Sequence, residues 1–199
     1  MTQLQRQLGN TDIYLIDQML RGRIKPGMKI LDAGCGEGRN IHYLISQGYD
    51  VTAIDIEPQS IPNLPAEKFR LEKIEDLSFP PQSFDFIIVN TVFHFADDDA
   101  HFERMITSVW DKLKPGGILF SRLASSIGIE HQIQQINGRR HLLLDGSERY
   151  LVDAELLRHI PTQIGGELLD PIKTTIVDNL RAMTTWVLLR SSYPQPALP

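Results

Sequence analysis

The sequence predicts an α/β protein in which a mostly parallel sheet carries helices on both faces. Three observations lead to this fold class. Short apolar runs alternate with helix-like runs between about residues 28 and 190, which is typical of βαβ units. Three glycines at alternate positions follow the first apolar run, as in turns that join a strand to a helix. The length of 199 residues is enough for one α/β domain with a sizeable core and short for two.

Five apolar runs are predicted to be parallel strands. The fourth is the clearest, because Asp85 is the one polar residue between Phe84 and Val89, as in a strand that is buried on both faces. The third is weak and short. The five runs are residues 29–33, 50–54, 69–72, 83–90 and 118–123.

Helices are expected before, between and after these strands. Aspartates stand where they can cap three of them. Pro58 opens only a turn or two, because Pro62 and Pro65 follow it closely. The expected helices cover residues 12–21, 39–47, 97–113 and 153–160. At the C-terminus, two β-rich runs at 168–177 and 182–190 suit an antiparallel pair at the sheet edge.

Residues 124–165 depart from this alternation and form an insertion. They contain a predicted hairpin, 141–144 with 149–152, ahead of a helix capped by Asp153. The insertion follows the fifth strand, so it lies at the carboxyl edge of the sheet, where ligands bind in open α/β folds. We therefore expect one domain with a substrate cover. Its parts are the domain itself at 1–192, an N-terminal helical lid or brace at about 10–22, the insertion at about 124–165, and a flexible tail at 193–199.

Composition limits the classes of partner. The net charge of −5 argues against a general nucleic-acid binder, which needs clustered Lys and Arg. The single cysteine, Cys35, excludes an internal disulfide framework, and no apolar run reaches membrane-spanning length. The aspartates at 97–99 are explained by helix capping, so no metal site is predicted. We expect a cytoplasmic monomer or homodimer that binds neither nucleic acid nor membrane.

The glycine-rich turn at residues 34–38 predicts a ligand site. Gly34, Gly36 and Gly38 have no Cβ atoms that would block a ligand, and the N–H groups at the following helix start are expected to face it. The G-x-G-x-G spacing fits neither the dinucleotide fingerprint nor the P-loop. Asp32, two residues before the first glycine, suits an amino group better than a pyrophosphate. A nucleoside that carries an amino acid and a sulfonium meets these requirements.

At this point the chain resembles the class I S-adenosylmethionine-dependent methyltransferases. The resemblance rests on motifs that occur in the right order: the glycine turn with Asp32, Asp55 at the end of the second strand, and residues 75–79, 83–87 and 113–117. It implies a Rossmann-like, doubly wound, seven-stranded sheet in the order 3-2-1-4-5-7-6, with strand 7 antiparallel. A narrower likeness connects the chain with tellurite-resistance-type methyltransferases.

The resemblance also implies the binding site for the cofactor, S-adenosylmethionine, and for its product, S-adenosylhomocysteine. Asp32 and the backbone of Gly34 and Gly36 would hold the methionine part, with Cys35 in the same turn. Asp55 would accept both ribose hydroxyl groups.

The remaining cofactor contacts implied by the resemblance involve adenine and the sulfonium. Ile56 would pack on adenine, Ile74 would offer its backbone N–H, and Asn90 would lie near the sulfonium. Lys73 stands where the family usually has an acid for the adenine amino group, and a lysine cannot accept a hydrogen bond. Glu75 or Glu72 is an alternative acceptor.

His94 is the best-placed histidine for a general base or a substrate contact, because it follows the fourth strand. Packing beneath the next helix is the alternative. Tyr14 on the predicted lid is a further candidate substrate contact. Arg122 and Arg139, together with Arg140 and His141, could receive an anionic substrate, although ordinary solvated charges also explain them.

The predicted function is methyl transfer to a small-molecule acceptor by in-line displacement, in which positioning and water exclusion supply most of the acceleration. A thiolate, carboxylate or chalcogen oxyanion would need no base, whereas a hydroxyl or ammonium would. The segment 90–93 lacks the Asn-Pro-Pro-Tyr motif, which disfavours methylation of base or glutamine amino groups. Two alternatives remain: a non-catalytic or regulatory protein that binds S-adenosylmethionine, and an NAD-linked oxidoreductase.

Overall fold

The predicted parallel sheet is present in the computed structural model, which describes residues 2–192. The predicted flexible tail, residues 193–199, lies outside the described residues. Within them the strands are β1 (Lys29–Ala33), β2 (Asp50–Asp55), β3 (Phe69–Leu71), β4 (Phe84–Asn90), β5 (Leu113–Ser125), β6 (Gln134–Asn137), β7 (Arg140–Leu142), β8 (Glu148–Tyr150), β9 (Gly166–Leu168), β10 (Lys173–Val177) and β11 (Arg181–Arg190).

The order of the main sheet is β3-β2-β1-β4-β5-β11-β10. Strands β1 to β5 run parallel, and β11 is antiparallel to β5. Because β10 and β11 are the predicted sixth and seventh strands, the predicted order 3-2-1-4-5-7-6 is confirmed. One strand is additional: β9 also pairs with β11. Residues 169–172 separate β9 from β10. In this gap Pro171 has no N–H to donate to β11, and the Asp170 carboxylate pairs with Arg23 at 2.7 Å.

Helices cover both faces of the sheet. They are α1 (Gln3–Leu8), α2 (Ile13–Leu20), α3 (His42–Ser46), α4 (Asp99–Lys112) and α5 (Ala154–Gln163). Asp12, Asp98 and Asp153 cap α2, α4 and α5 through side-chain oxygens that accept backbone N–H groups. Helix α1 was not expected; it begins at a capping box between Thr2 and Gln5. No helix among residues 2–192 has the length and apolar character needed to span a membrane.

Neighbouring residues of each strand belong to opposite layers of the core. Leu31 and Ile87 pack in one layer with residues of α4 and α5, including Val109 and Leu157. Ile30, Phe86 and Phe120 pack in the other layer with residues of α2 and α3. This alternation follows from the two-residue period of a strand. It places the helices on both sides of the sheet and leaves the carboxyl ends of the strands free to form a site.

The helix predicted at residues 39–47 is shorter than expected and begins at His42. The reason lies in contacts with the N-terminal segment. The hydroxyl of Thr11 donates to the carbonyl of Arg39, and the side-chain oxygen of Asn40 accepts the N–H of Asp12. The chain between Gly38 and His42 therefore forms turns that bind the N-terminal segment before the helix starts.

Helix α5 continues past its predicted end at Ile160, although Pro161 lies inside it. A proline has no N–H to donate to the carbonyl four residues earlier, which here is the carbonyl of Leu157. The buried indole Nε1 of Trp186 donates to that carbonyl instead, at 3.0 Å. This side chain in β11 therefore satisfies a carbonyl that the proline leaves free.

The insertion at 124–165 forms its own small sheet in the order β6-β7-β8. The predicted hairpin corresponds to β7 and β8. Strand β6 was not predicted, because all four of its side chains are exposed and it shows no apolar alternation. Parallel bridging between Ser125 and Val152 fixes the insertion against the end of β5, so it stands at the carboxyl edge of the main sheet.

We expect Trp186→Phe to lower the free energy of unfolding by about 1–3 kcal/mol more than Trp110→Phe does, because it leaves the buried Leu157 carbonyl without a donor. Trp110→Phe is the matched control, since no hydrogen bond of its indole N–H is formed within the described residues. Urea titration of both variants measures the difference. Equal losses in the two variants would contradict this account of Pro161.

Candidate active site

Two cavities adjoin at the carboxyl edge of the sheet. One, about 340 Å³, is bounded by the glycine turn, Asp55 and residues 72–75; we call it the turn cavity. The other, about 330 Å³, is bounded by residues of β5, β11 and the insertion and contains four arginines; we call it the arginine cavity. Thr91 lines both cavities. The two cavities therefore meet just after β4, and each is large enough for a small molecule or part of one.

Asp32 lies at the end of β1 with no exposed surface, and neither carboxylate oxygen has a hydrogen-bond partner. Burial raises the pKa of this carboxyl to about 7; the nearby Asp55 adds to the rise and Arg39 opposes it. A buried polar group normally has a partner in the folded protein. A cationic amino group has the charge and the N–H donors that would fit these two oxygens.

The three glycines have different roles in the turn. A Cβ on Gly34 would lie 2.3 Å from Cγ2 of Val92, and one on Gly38 would lie 2.7 Å from Cγ2 of Ile61, so both make room for protein side chains. A Cβ on Gly36 would meet nothing within 4 Å, and this glycine lines the turn cavity. The prediction that all three exist to admit a ligand is therefore wrong for Gly38 and incomplete for Gly34.

The backbone N–H groups of the turn are largely used inside the protein. Those of Gly34 and Cys35 donate to the Ile54 carbonyl, and that of Gly36 donates to Oδ2 of Asp55 at 2.8 Å. The expectation of free N–H groups at a helix start is wrong here, because α3 begins only at His42. Cys35 itself is buried, which raises the pKa of its thiol well above the ordinary value.

Asp55 is held in place at the end of β2. Its Oδ1 accepts the N–H of Glu57 at 3.0 Å, and its Oδ2 accepts that of Gly36. The side chain still lines the turn cavity, and each carboxylate oxygen has a second lone pair for a ligand hydroxyl. Ile56, which is 66% exposed, lines the same cavity with its apolar surface.

Residues 72–75 form the far wall of the turn cavity. Ile74 is buried and Lys73 is exposed. Glu72 already accepts the N–H and hydroxyl of Ser78. Glu75 lies 3.5 Å from Nε2 of His101. The residues predicted to meet the edge of adenine therefore share one wall of the turn cavity, and Glu75 is a freer acceptor than Glu72.

Asn90 ends β4, and Thr91 follows it at the junction of the two cavities. The side-chain oxygen of Asn90 accepts from the Arg39 guanidinium at 3.2 Å. Thr91 has a φ of 65°, which is rare for a β-branched residue, and its N–H donates to the carbonyl of Arg122 at 2.7 Å. Such strained residues cluster at functional sites. This one turns the chain at the junction of the cavities.

His94 is 6% exposed and lines the arginine cavity. Burial, together with the charges of Arg149 and Arg181, lowers the pKa of its imidazole to about 4, so the ring is neutral near pH 7. Nδ1 accepts the N–H of Ala124 at 3.2 Å. We assign the ring proton to Nε2 from this contact. That arrangement makes Nε2 a donor and leaves no free lone pair for a general base.

Arg122 lies at the end of β5 in the arginine cavity, with Asp12 beside it. Its NH1 donates to Oδ2 of Asp12 at 2.8 Å, and its guanidinium lies 4.7 Å from the ring centre of Tyr14. The Tyr14 hydroxyl bonds Thr175 in β10. Helix α2 is thus fastened across the sheet, and Tyr14 supports the cavity wall from behind Arg122.

The predicted basic group at 139–141 does not reach the arginine cavity. Arg139 pairs with Asp153 at the start of α5, Arg140 donates to Ala96 and Glu148, and Nδ1 of His141 contacts the Arg139 carbonyl. The insertion supplies Arg149 to the cavity instead, and β11 supplies Arg181. In the sequence, Arg149 begins the second strand of the predicted hairpin and Arg139 precedes its first strand, but no local pattern shows which of them faces the sheet.

No group of three or more His, Cys, Asp and Glu side chains within residues 2–192 is arranged to hold a metal ion.

Comparison with known proteins agrees with this geometry. Residues 31–121 match the methyltransferase domain family. A ubiquinone biosynthesis O-methyltransferase from Methylocella silvestris is 33% identical over 120 residues, which are 54% of this chain and 46% of that protein. The chain spans about half the length of the curated relatives it matches.

Two solved structures share the fold. A S-adenosylmethionine-dependent methyltransferase from Methanosarcina mazei has a TM-score of 0.69 and 22% identity over 87% of this chain and 97% of that one. The Burkholderia thailandensis 1,6-didemethyltoxoflavin-N1-methyltransferase, with 1,6-didemethyltoxoflavin and S-adenosylhomocysteine bound, has a TM-score of 0.66 and 18% identity over 88% and 75%. These matches support a class I S-adenosylmethionine-dependent methyltransferase. The Rossmann-like fold class is thereby confirmed, the predicted family is supported, and S-adenosylmethionine is supported as the cofactor.

The buried Asp32 predicts an unusual pH dependence of stability. Its pKa is about 7 in the folded protein against an ordinary 3.8, so between these pH values the folded protein binds more protons than the unfolded chain. Stability is therefore lost as the pH rises. Between pH 5 and pH 8, the free energy of unfolding of the cofactor-free protein should fall by about 2–3 kcal/mol relative to that of Asp32→Asn. Denaturant titrations across this range measure it, and parallel curves would contradict the assignment.

Proposed function

We propose that the protein transfers a methyl group from S-adenosylmethionine to a small-molecule acceptor. The observation that carries the proposal is the buried Asp32 carboxylate without a partner, next to a turn whose Gly36 opens onto a cavity. An ammonium group supplies both the charge and the N–H donors that this carboxylate lacks. A dinucleotide offers phosphates instead, which a buried carboxylate would repel.

The residues of the turn cavity suit the nucleoside part of the cofactor. Asp55, fixed by two backbone N–H groups, would accept the ribose hydroxyls. Ile56 would cover one face of adenine, and the backbone N–H of Ile74 with the carboxylate of Glu75 would meet its edge. Gly34 and Cys35 would contribute the backbone floor, and Asn90 would lie nearest the sulfonium.

The cofactor, when bound, supplies a methyl group on a positively charged sulfur, which is already a strong electrophile. The protein's task is then to orient the acceptor and exclude water. Thr91, with its strained backbone, lies between the two cavities. We propose that the acceptor occupies the arginine cavity, where Arg122 forms a wall and His94 offers an N–H donor.

The cover of the arginine cavity comes from two segments. Asp12, at the start of the segment 10–22, and Leu143, Asp145 and Arg149 of the insertion 124–165 line it. We propose that these segments close a single domain over residues 1–192, with α2 acting as a fixed brace because of its contacts to Arg122 and Thr175. A cytoplasmic location and a monomeric or dimeric state remain predictions.

Calorimetric titration with S-adenosylmethionine, S-adenosylhomocysteine and NAD tests the proposal. Micromolar binding of the first two and none of NAD is expected, because Asp32 and Asp55 provide acceptors and no phosphate site. Binding of NAD alone would favour an oxidoreductase, and binding of none of the three would contradict the proposal. Tight cofactor binding with no turnover of a broad acceptor panel would favour the non-catalytic alternative.

Asp55→Ala should weaken the binding of S-adenosylhomocysteine by about 2 kcal/mol, roughly 30-fold, because a charged acceptor for two hydroxyls is lost. Glu57→Ala is the control, since Glu57 is exposed and near in sequence but does not line the turn cavity. The same titration measures both variants. Unchanged affinity in Asp55→Ala would refute the ribose contact.

A further inference from the structure

The arginine cavity carries an excess of positive charge in a protein whose net charge is −5. Its wall contains four guanidinium groups, those of Arg39, Arg122, Arg149 and Arg181, against two carboxylates. Asp12 neutralises Arg122 at 2.8 Å. Asp145 lies 3.4 Å from Arg181, which is half exposed. Two positive charges therefore remain unbalanced on the wall.

Arg149, like Arg39, is a guanidinium of this cavity that has no carboxylate partner among the described residues. It forms no ion pair within residues 2–192; its NH1 donates to the carbonyl of Glu148, and its guanidinium lies 4.9 Å from the ring centre of Phe95. Phe95 also lines the turn cavity. Arg149 is thus held across the boundary between the cavities, with donors left for an anion.

Arg149 and Arg181 come from different elements, β8 and β11, but line the same cavity as His94. His94 in turn presents Nε2–H as a donor, since Nδ1 is bonded to Ala124. Two guanidinium groups and an N–H donor around one space are the recognition elements of a carboxylate or another oxyanion.

The same cavity contains no side chain suited to remove a proton near neutral pH. His94 is a neutral donor, as shown above. Arg122 holds the pKa of Asp12 below its ordinary value despite the opposing effect of burial. Hydrogen bonds from Ser147 lower the pKa of Asp145, and Arg181 lowers it further. Both carboxylates are therefore weak bases that already have partners, so the nucleophile must arrive already ionised.

We infer that the acceptor is a small carboxylic acid, bound as its carboxylate by Arg149 and Arg181 beside His94 and methylated on a carboxylate oxygen. This inference rests on the proposed function. In the transfer, a lone pair of the carboxylate oxygen forms the bond to the methyl carbon, and the electron pair of the broken carbon–sulfur bond stays on sulfur. No proton is transferred. The products are a methyl ester and S-adenosylhomocysteine.

Other acceptors meet the geometry less well. Phenols and alkyl hydroxyls are protonated near pH 7 and require a base that the cavity does not have. Thiols are also mostly protonated at that pH. A carboxylic acid is fully ionised there and matches the forked geometry of a guanidinium.

The test uses straight-chain acids from acetate to octanoate, phenylacetate and 4-hydroxyphenylacetate, each beside its primary amide. Binding is followed by ligand-observed NMR, with and without saturating S-adenosylhomocysteine, up to about 10 mM ligand, a range that detects millimolar affinity. We expect at least one acid to bind and its amide to bind at least about tenfold more weakly, because a charge-assisted contact is lost. Incubation of the best acid with S-adenosylmethionine should yield the methyl ester by mass spectrometry.

Two variants localise the effect. Arg149→Gln and Arg181→Gln should each weaken acid binding by about tenfold and leave the affinity for S-adenosylhomocysteine unchanged. Arg158→Gln is the matched control, because this exposed arginine on α5 donates only to the Ala154 carbonyl and does not line the cavity. It should change neither affinity. Circular dichroism confirms that all three variants are folded.

The possible outcomes separate this inference from the proposed function. Equal binding of acids and amides, no binding of any acid, unchanged binding in both cavity variants, or an ether from 4-hydroxyphenylacetate would each overturn the inference. If S-adenosylhomocysteine binds but any of these results is obtained, the inference fails and the proposed function stands. If S-adenosylhomocysteine does not bind, the proposed function is contradicted. The NMR titration of acids and amides without S-adenosylhomocysteine then still tests whether the arginine cavity binds carboxylates.

Discussion

The chemistry of this site depends on one buried charge, the carboxylate of Asp32. Strand β1 carries it to the end of the sheet, where Gly34 lets Val92 close over the turn and burial removes water. Its two oxygens have no donor in the described chain. The folded protein therefore retains a group that disfavours folding when ionised, and a cationic ligand would remove that cost. Asp32 thus couples ligand recognition to stability.

The second constraint is the way β4 ends. Asn90, Thr91 and Val92 turn sharply, with Thr91 in the left-handed region and its N–H bonded to the neighbouring strand at Arg122. Val92 then faces the glycine turn, whereas His94 faces the arginine cavity. This short segment thereby contributes to both cavities: Thr91 lines both, Val92 and Phe95 line the turn cavity, and His94 lines the arginine cavity. A local strain of this kind is maintained because the surrounding parallel strands fix both of its ends.

The fold class followed from patterns within short segments, and the strand order from the family resemblance. Apolar runs, capping aspartates and the Pro-Gly breaks are local, and β1 to β5, α2, α4 and α5 agree with them. The errors arose where a local pattern was absent or where contacts with distant residues overrode it. Strand β6 has no apolar alternation, and α3 is shortened by hydrogen bonds from Thr11 and Asp12, which no window around residue 40 contains. Pro161 was a reasonable end for α5, but a distant indole satisfies the freed carbonyl.

Most of the elements, the glycine turn and the acids at the ends of β1 and β2 can be predicted from the sequence, because each depends on contiguous residues. Which basic residues share a cavity depends on the tertiary structure. Arg149 and Arg181 line one cavity with His94, although Arg181 is far from His94 along the chain, whereas Arg139 of the insertion pairs with Asp153. The pairing of the strands and the orientation of the insertion place Arg149 and Arg181 in one cavity. Contacts between residues far apart in sequence produce no hydrophobic periodicity from which they could be predicted.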